Sequence, residues 1–587
     1  MRSSTRSAAR RLLLGGALAA TVVAGAVVPV AAQDPPPAPP PDAEVSDAVA
    51  AQIAAIEADK QARTPAERKV DSNLLYAAAE EDGGPAVAGA PDLESTAKVD
   101  LEGLTEVDIT ATVGPALLDR IEALGGKVLD SVPGFDAVRA ELPVDAVSAL
   151  AARPEVRTVV PAGDARTNRA VRPSGGAATA GAGAGANEAD VTHGAANARM
   201  AYGVDGTGVK ACVLSNGVDS LAARQASGDL PAVDVLPGQA GSGDEGTAML
   251  ELIHDIAPGA ELGYATAFES QAGMAQNIID LRADGCDVVV DDITYFAEAA
   301  FQDDDVARAI SQVKADGAIY FTSAGNSGNL ADGTSGTWQG DFQDAGPSSS
   351  PLPEGLRVHG WGVGQPYNTL TEGDIFFNQP VTLQWADPLG GSANDYDLYL
   401  LGASGESVAA ASTTLQSGTQ DPYERVNARI DSRIVVTRAA GAADRYLALY
   451  TNRGELAHAT GGATYGHNAS VDAISLAATP AAVAFQEGDP VGPFPEQHSG
   501  SDRSETFSGD GPVRSFYAPD GTPLTPGDLS STGGEVRNGI DLTAADGTTT
   551  TTPDFIPFFG TSAAAPNATA IATLALSVAP DLTPDEL

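Results

Sequence analysis

The pattern of hydrophobic and polar positions first indicates a small α+β unit near the N-terminus. From Lys98 to about Asp164, short strand-like runs and two helical segments follow one another in the order β-α-β-β-α-β. This order is typical of a ferredoxin-like unit. A polar, alanine-rich helical stretch from about Val45 to Glu80 precedes it. We therefore expect a separate folded unit before the main part of the chain.

Beyond residue 190 the pattern changes to apolar strands that alternate with helical segments. The strands are predicted at 206–215, 286–293 and 317–324, and a helix is predicted from Glu245 to His254. Such alternation predicts the α/β class, with a doubly wound parallel sheet. From about Gly355 to Tyr450 the period becomes two, which indicates an inserted β-sandwich. The α/β pattern resumes near Ser470.

The N-terminus has the pattern of an export signal. Arginines precede an uncharged run from Leu12 to Val28, and small residues lead to a cleavage position after Ala32. The pair Arg10-Arg11 leaves Sec and twin-arginine export open. We therefore expect a secreted, extracellular protein with no membrane attachment once the signal is removed.

Composition and pattern together divide the chain into seven segments. We expect a signal peptide at 1–32, a Pro-rich spacer at 33–43, the N-terminal folded unit at 44–165, a Gly/Ala-rich linker at 166–189, the first part of the α/β domain at 190–354, the inserted β-sandwich at 355–455, and the second part of the α/β domain at 456–587. The chain ends soon after the last apolar helix, so we expect a truncated or shortened second part.

Charge excludes two classes of partner. The chain has 33 Lys and Arg against 78 Asp and Glu, a net charge of -45, which repels nucleic acid and anionic membranes. The two cysteines, Cys212 and Cys286, lie in strand-like runs and are predicted to be buried free thiols. The acidic turn from Asn394 to Asp397 is predicted to be solvated. It offers too few ligands to indicate calcium, and we expect no required cofactor.

Two small-residue turns carry candidate chemistry. Ser562 lies in the turn from Gly560 to Pro566, which opens an apolar helix. A serine hydroxyl at the positive end of a helix lies beside backbone N–H groups that can receive an oxyanion. The alternative is an ordinary helix cap. The second turn, from Thr322 to Gly328, contains Asn326 at the end of a predicted strand.

Four segments, in this order, resemble the subtilases, and more closely their serine-carboxyl (sedolisin-like) branch: 208–219, 244–250, 322–328 and 560–566. The resemblance covers the chain from about residue 190, apart from the insert. It implies a subtilisin-like fold and a serine-type endopeptidase that acts on polypeptides. It also implies that the N-terminal unit is a propeptide, which inhibits the enzyme intramolecularly.

The resemblance implies a role for each candidate residue. Ser562 is the expected nucleophile, Asn326 the oxyanion donor, and Glu245 the general base at the position where subtilisins carry histidine. The partner that orients Glu245 is left open between two residues. Asn216 matches the strand aspartate of subtilisins, and Asp292 ends a strand that borders the cleft. The position of the sedolisin aspartate is occupied by Met249.

These expectations describe a secreted serine-type endopeptidase made as a zymogen. The alternative is a catalytically impaired pseudopeptidase that acts as an extracellular binding protein. It arises because Asn216 cannot supply the charge of an aspartate. Substrate preference and the ligand of the insert do not follow from the sequence.

Overall fold

The structure of the protein is a computed structural model that describes residues 45–172, 187–345, 352–362, 365–373, 379–402, 404–486 and 488–587. The predicted signal peptide, the Pro-rich spacer and most of the linker lie outside the described residues. No helix in the described part of the chain is long and apolar enough to cross a membrane.

The N-terminal unit begins with two helices where the sequence indicated one helical stretch. Each helix has its own cap: Ser46 accepts from the backbone of Val49, and Asp71 accepts from that of Asn73. An antiparallel sheet in the order β2-β3-β1-β4 follows. The elements are α1 (Asp47–Ala62), α2 (Ser72–Glu81), β1 (Leu104–Ala111), α3 (Pro115–Ala123), β2 (Lys127–Val132), β3 (Ala137–Pro143), α4 (Val147–Ala151) and β4 (Val156–Pro161).

Two very short strands leave this unit and run along the next domain. They are β5 (Ala165–Thr167) and β6 (Arg169–Ala170), and neither pairs within the N-terminal unit.

The first part of the α/β domain alternates strands and helices as the sequence pattern predicts. Its central strands are buried along their whole length, as expected for a sheet covered on both faces. The elements are α5 (Glu188–Thr192), α6 (Ala195–Tyr202), β7 (Lys210–Ser215), α7 (Leu221–Ser227), β8 (Val233–Val235), α8 (Glu245–Ile256), β9 (Glu261–Thr266), α9 (Gln271–Ala283), β10 (Val288–Asp291), β11 (Ile293–Tyr295), α10 (Asp305–Ala315) and β12 (Ile319–Ser323).

The inserted region forms two antiparallel sheets that share one apolar core. One sheet has the order β13-β21-β16-β19 and the other β18-β17-β20-β15-β22, with β14 also paired to β20. The strands are β13 (Thr337–Asp341), β14 (Arg357–Val358), β15 (Asn368–Glu372), β16 (Gln379–Trp385), β17 (Tyr396–Leu401), β18 (Val408–Ser412), β19 (Tyr423–Ala428), β20 (Arg433–Arg438), β21 (Tyr446–Tyr450) and β22 (Glu455–Leu456).

The second part of the α/β domain completes the parallel sheet. Seven strands lie in the order β26-β23-β12-β10-β7-β9-β8, and all neighbours are parallel. The sheet class is therefore confirmed. The remaining elements are β23 (Ile474–Pro480), β24 (Val513–Ser515), β25 (Glu535–Arg537), β26 (Leu542–Asp546), β27 (Phe559–Gly560) and α11 (Thr561–Val578).

The carboxyl ends of the central strands position the candidate residues. Strand β10 leads directly to Asp292, and β12 leads to Asn326. Helix α8 begins with Glu245, and Ser562 is the second residue of α11. Ligand sites in open parallel sheets lie at this edge.

The prediction of free thiols is wrong. Cys212 on β7 and Cys286 before β10 form a disulfide, with Cα atoms 5.9 Å apart. Strands β7 and β10 are parallel neighbours, and this proximity brings the two side chains together. The sequence predicted that each cysteine lies in or beside a buried strand. It did not show that the two strands are neighbours and that both side chains lie on the same face of the sheet.

The prediction of a solvated acidic turn is also wrong. Asp395 and Asp397 are buried, because Lys60 of α1 inserts between them with Nζ–O distances of 2.7 and 2.6 Å. Helix α1 packs its apolar side on the insert. Burial disfavours the charge of Lys60, but the two carboxylates reverse that effect and raise its pKa above the ordinary value. The N-terminal helix and the insert are thus joined by a buried ion triad.

We predict that Lys60→Met destabilises this junction strongly. Removing one partner leaves two buried carboxylates uncompensated, so the free energy of unfolding should fall by about 3–5 kcal/mol. Urea unfolding followed by fluorescence measures the change. Lys98→Met is the matched control, because Lys98 is exposed and pairs with Asp164 at the surface. Its effect should stay below about 1 kcal/mol, and an equal effect of both changes would contradict the prediction.

Candidate active site

Ser562 lies in the first turn of α11, two residues after a glycine in an unusual conformation. Gly560 has φ +117°, which a residue with a side chain rarely adopts. Ser562 is completely buried, and its Oγ has no hydrogen-bond partner. A buried hydroxyl without a hydrogen-bond partner costs free energy, and a functional role is one explanation for keeping it.

Glu245 begins α8, which packs against α11, so its side chain faces Ser562. The Glu245 side chain is buried and interacts with Ser562 and with Asp292. Burial raises the pKa of Glu245, and neighbouring donors, first of all Asp292, partly offset this effect. The structure therefore brings the predicted base and the predicted nucleophile together.

Asp292 is the second carboxyl group of the site. It follows β10 and is fully buried, and neither of its carboxylate oxygens has a hydrogen bond of acceptable geometry. Burial and the adjacent charge of Glu245 raise the pKa of Asp292 well above its ordinary value. Glu245 Oε1 and Ser562 Oγ also lack a hydrogen bond of acceptable geometry. The three groups nevertheless lie close enough to affect one another's ionisation. Two buried carboxyl groups this close titrate as a pair.

Asn326 lies after β12 with its amide orientation fixed. Its Oδ1 accepts hydrogen bonds from the backbone N–H of Thr561 at 3.2 Å and from the Thr561 hydroxyl at 3.0 Å. These bonds fix the orientation of the amide and leave its Nδ2 to donate elsewhere in the site.

Residues 165–170 of the chain cross this space in an extended conformation. Strand β5 pairs antiparallel with β11, and β6 pairs antiparallel with β27. Between the two strands, the N–H of Asn168 donates to the carbonyl of Asp292 at 2.8 Å. The backbone of this segment is held from both sides.

The carbonyl oxygen of Asn168 receives two hydrogen bonds. The backbone N–H of Ser562 donates at 3.2 Å, and Nδ2 of Asn326 donates at 2.6 Å. A carbonyl between a serine N–H and a side-chain amide has the arrangement of an oxyanion site. The chain thus presents one of its own peptide carbonyls to the unpartnered Ser562 hydroxyl.

Asn216 lies near this group but has a different contact. Its Oδ1 accepts from the backbone N–H of Glu245 at 3.1 Å, so it caps α8 and does not contact the carboxylate. Met249, one turn further along α8, is buried in the apolar core. Of the two partners left open by the sequence, the structure places Asp292 beside the Glu245 side chain.

Two other acids near the site have structural contacts. Asp219 accepts from the backbone of Gly243 at 2.8 Å, and Asp291 accepts from the Thr322 hydroxyl at 3.0 Å. His467 lies between Asp291 and Glu298, with its Nδ1 2.7 Å from Glu298 and its Nε2 3.1 Å from Asp291. These groups support the strands beneath the site.

Sequence reasoning missed two residues of the site, Asn168 and Arg453. Asn168 lies in the predicted linker, and Arg453 lies in a loop of the insert, where its guanidinium donates to the backbone carbonyl of Thr167. Neither residue belongs to a recognisable local motif, because the role of each depends on the register in which residues 165–170 lie in the cleft.

Comparison with known proteins supports the sequence resemblance. The model of the subtilase family matches residues 382–587. That segment contains the Ser562 turn. Comparison with curated proteins gives no significant match.

The solved structures to which this chain is similar include the following three. The CspB protease of Clostridium perfringens is 13% identical, with a TM-score of 0.38, over 68% of this chain and 90% of that one. The epidermin leader peptide processing serine protease of Staphylococcus aureus is 11% identical, with a TM-score of 0.28, over 39% and 62%. MycP1 with its N-terminal propeptide removed is 13% identical, with a TM-score of 0.26, over 68% and 87%.

We predict that Gly560→Ala releases the bound segment. A Cβ at this position would overlap the carbonyl oxygen of Asn168 and lie 2.8 Å from the nitrogen of Ala170. Backbone hydrogen exchange of residues 165–170 should therefore become faster, as measured by mass spectrometry. Gly500→Ala is the control, because a Cβ there meets nothing within 4 Å. Unchanged protection of the segment in Gly560→Ala would show that it is held elsewhere.

Proposed function

We propose that the protein is a secreted serine-type endopeptidase, made as a zymogen whose own residues 165–170 occupy the cleft as the first substrate. The observation that carries this proposal is the Asn168 carbonyl, which accepts from the Ser562 N–H and from Asn326 Nδ2. The bond that follows this carbonyl, between Asn168 and Arg169, is the one that Ser562 attacks. A subtilase match over the segment that contains Ser562 supports the same class.

In the proposed mechanism Glu245 is the general base. Its carboxylate takes the proton from Ser562 Oγ as the oxygen attacks the carbonyl carbon of Asn168. The oxyanion that forms is held by the two donors already present. Glu245 then gives its proton to the nitrogen of Arg169, and the bond between the two residues breaks. Water hydrolyses the resulting ester at Asn168, which restores Ser562.

Asp292 is proposed as the partner of Glu245. The charge of Glu245 raises the pKa of Asp292, whereas the hydrogen bond from Asp292 lowers that of Glu245. We therefore assign the proton of the pair to Asp292 and the charge to Glu245. A protonated carboxyl can donate to a carboxylate and hold it in place. In other serine peptidases an ionised aspartate orients the histidine by accepting its N–H. Asn216 contributes indirectly, because it caps the helix that begins with Glu245.

Residues 44 to about 165 are proposed as the propeptide and intramolecular inhibitor. Their unit is connected to the cleft through β5 and contacts α9, where Ser270 Oγ donates to Asp130 Oδ2 at 2.5 Å. The Ser562 hydroxyl is covered while residues 165–170 stay in place. Cleavage after Asn168 frees the cleft for other polypeptides once the propeptide leaves. No step of this mechanism calls for a cofactor.

We predict that Ser562→Ala abolishes processing of the precursor, because the attacking oxygen is removed. Asn326→Ala should slow processing by about 10²–10³-fold, the usual cost of one oxyanion donor. Intact-mass measurements over time record both rates, and a fluorophosphonate probe should label the processed wild type at Ser562 only. Asn329→Ala is the control, because that amide bonds Asp332 and lies outside the oxyanion site.

If the Ser562→Ala chain is cut at the same place and rate, or if the wild type is neither cut nor labelled, the enzyme proposal is wrong. The second result would favour a binding protein on a peptidase scaffold.

We predict a bell-shaped pH profile for processing. The rate should fall as the pH drops through the raised pKa of Glu245, because only the ionised carboxylate accepts the serine proton. It should fall again at higher pH, where Asp292 loses its proton. In Asp292→Asn the amide still donates but does not titrate, so the high-pH decline should disappear. Asp219→Asn is the control, and its rate should still decline at both low and high pH. A high-pH decline that persists in Asp292→Asn would exclude this role.

A further inference from the structure

The side chain of Asn168 is enclosed in a pocket that satisfies each of its polar atoms. Asn168 is 1% exposed. Its Nδ2 donates to Thr294 Oγ1 at 2.9 Å and to Ser323 Oγ at 2.8 Å. Both hydroxyls lie on strands of the α/β domain, one on β11 and the other at the end of β12. The amide nitrogen therefore has two partners on rigid elements.

The amide oxygen of Asn168 faces a cation from the insert. The guanidinium of Arg453 donates to Oδ1 at 3.0 Å, and a guanidinium can only donate, so the orientation of the amide is fixed. Arg453 is partly buried, and its removal from water lowers its pKa to about 10, with a contribution from Arg166. It still carries its charge at neutral pH.

The loop that presents Arg453 is itself well fixed. It follows β21, and Asn452 and Arg453 both have left-handed backbone conformations, with φ of 50° and 85°. The amide of Asn452 donates to the carbonyl of Pro380 at 3.0 Å and accepts from the Tyr465 hydroxyl at 3.1 Å. The Arg453 guanidinium therefore reaches the cleft from a rigid position, not from a mobile arm.

We infer that this pocket selects asparagine on the carbonyl side of the cleaved bond, both in the precursor and in other polypeptide substrates. The inference rests on the proposed function and specifies its substrates as polypeptides with asparagine before the cleaved bond. It also assigns a role to the insert, which supplies Arg453 to the pocket.

Discrimination follows from the hydrogen bonds that another residue would leave unmade. Leucine has a similar size but makes none of the hydrogen bonds that the asparagine amide forms with the two hydroxyls and the guanidinium. Glutamine is one methylene longer and does not fit the same partners. Aspartate replaces the donating amide nitrogen with an acceptor and adds a charge close to Glu245 and Asp292. We expect asparagine to be favoured over leucine by at least about 10²-fold in kcat/KM.

The first test uses peptides with processed wild-type protein. The peptides have the sequence of residues 165–170, Ala-Arg-Thr-Asn-Arg-Ala, with asparagine, aspartate, glutamine or leucine at the fourth position. The expected result is cleavage after asparagine, with a much lower kcat/KM for the other three. Because the enzyme is unchanged, a folding defect cannot explain a difference between peptides.

The second test changes the pocket. Arg453→Leu should lower the ratio of kcat/KM for the asparagine peptide to that for the leucine peptide by at least about 10-fold. The ratio is the diagnostic quantity, because Arg453 also bonds the carbonyl of Thr167, which every peptide provides. Arg433→Leu is the control: this arginine also belongs to the insert, but its guanidinium lies over the ring of Tyr367. Labelling of Ser562 by a fluorophosphonate verifies that each variant is folded.

The outcomes separate the inference from the proposed function. Efficient cleavage after leucine or aspartate, or an unchanged ratio in a labelled Arg453→Leu variant, overturns the asparagine preference alone. A wild type that cuts no peptide and is not labelled at Ser562 overturns the proposed function and the inference together. Selective cleavage after asparagine that weakens in Arg453→Leu supports both.

Discussion

The proposed mechanism depends on the position of one carbonyl group, that of Asn168. It lies between the N–H of Ser562 and Nδ2 of Asn326, which come from two elements far apart in the sequence. Thr561 links the two elements directly by its bonds to Asn326 Oδ1. The pairing of β5 with β11 and of β6 with β27 sets the register of the segment. A shift of one residue would present a different carbonyl and turn every side chain to the other face.

Burial gives the site its second property. A carboxylate is a stronger base near neutral pH when its surroundings raise its pKa, and removal from water raises the pKa of Glu245. Burial and the charge of Glu245 raise the pKa of Asp292 beside it, and in the proposed mechanism Asp292 holds the proton while Glu245 carries the charge. The covering segment contributes to this burial while it remains bound. When residues 165–170 leave the cleft, the solvent exposure of Ser562, Glu245 and Asp292 changes.

The sequence predicted the parts of the site that depend on local motifs. Ser562, Asn326 and Glu245 each lie in a short segment of the resemblance, and Asp292 was found because a buried strand ends there. Asn168 and Arg453 could not be predicted, since each acts through a partner on another unit of the chain. The same limit explains the disulfide of Cys212 with Cys286 and the ion triad of Lys60. In these cases the residue type was visible, but the neighbour is set by tertiary packing.

The most direct measurement is precursor processing in water enriched in ¹⁸O, followed by mass spectrometry of the N-terminal fragment. Hydrolysis of an ester at Ser562 predicts a fragment that ends at Asn168 with one ¹⁸O in its new carboxyl group, and a partner fragment that begins at Arg169. A fragment that ends at another residue would contradict the account. So would the same labelled fragment formed at the same rate by a chain without the Ser562 hydroxyl.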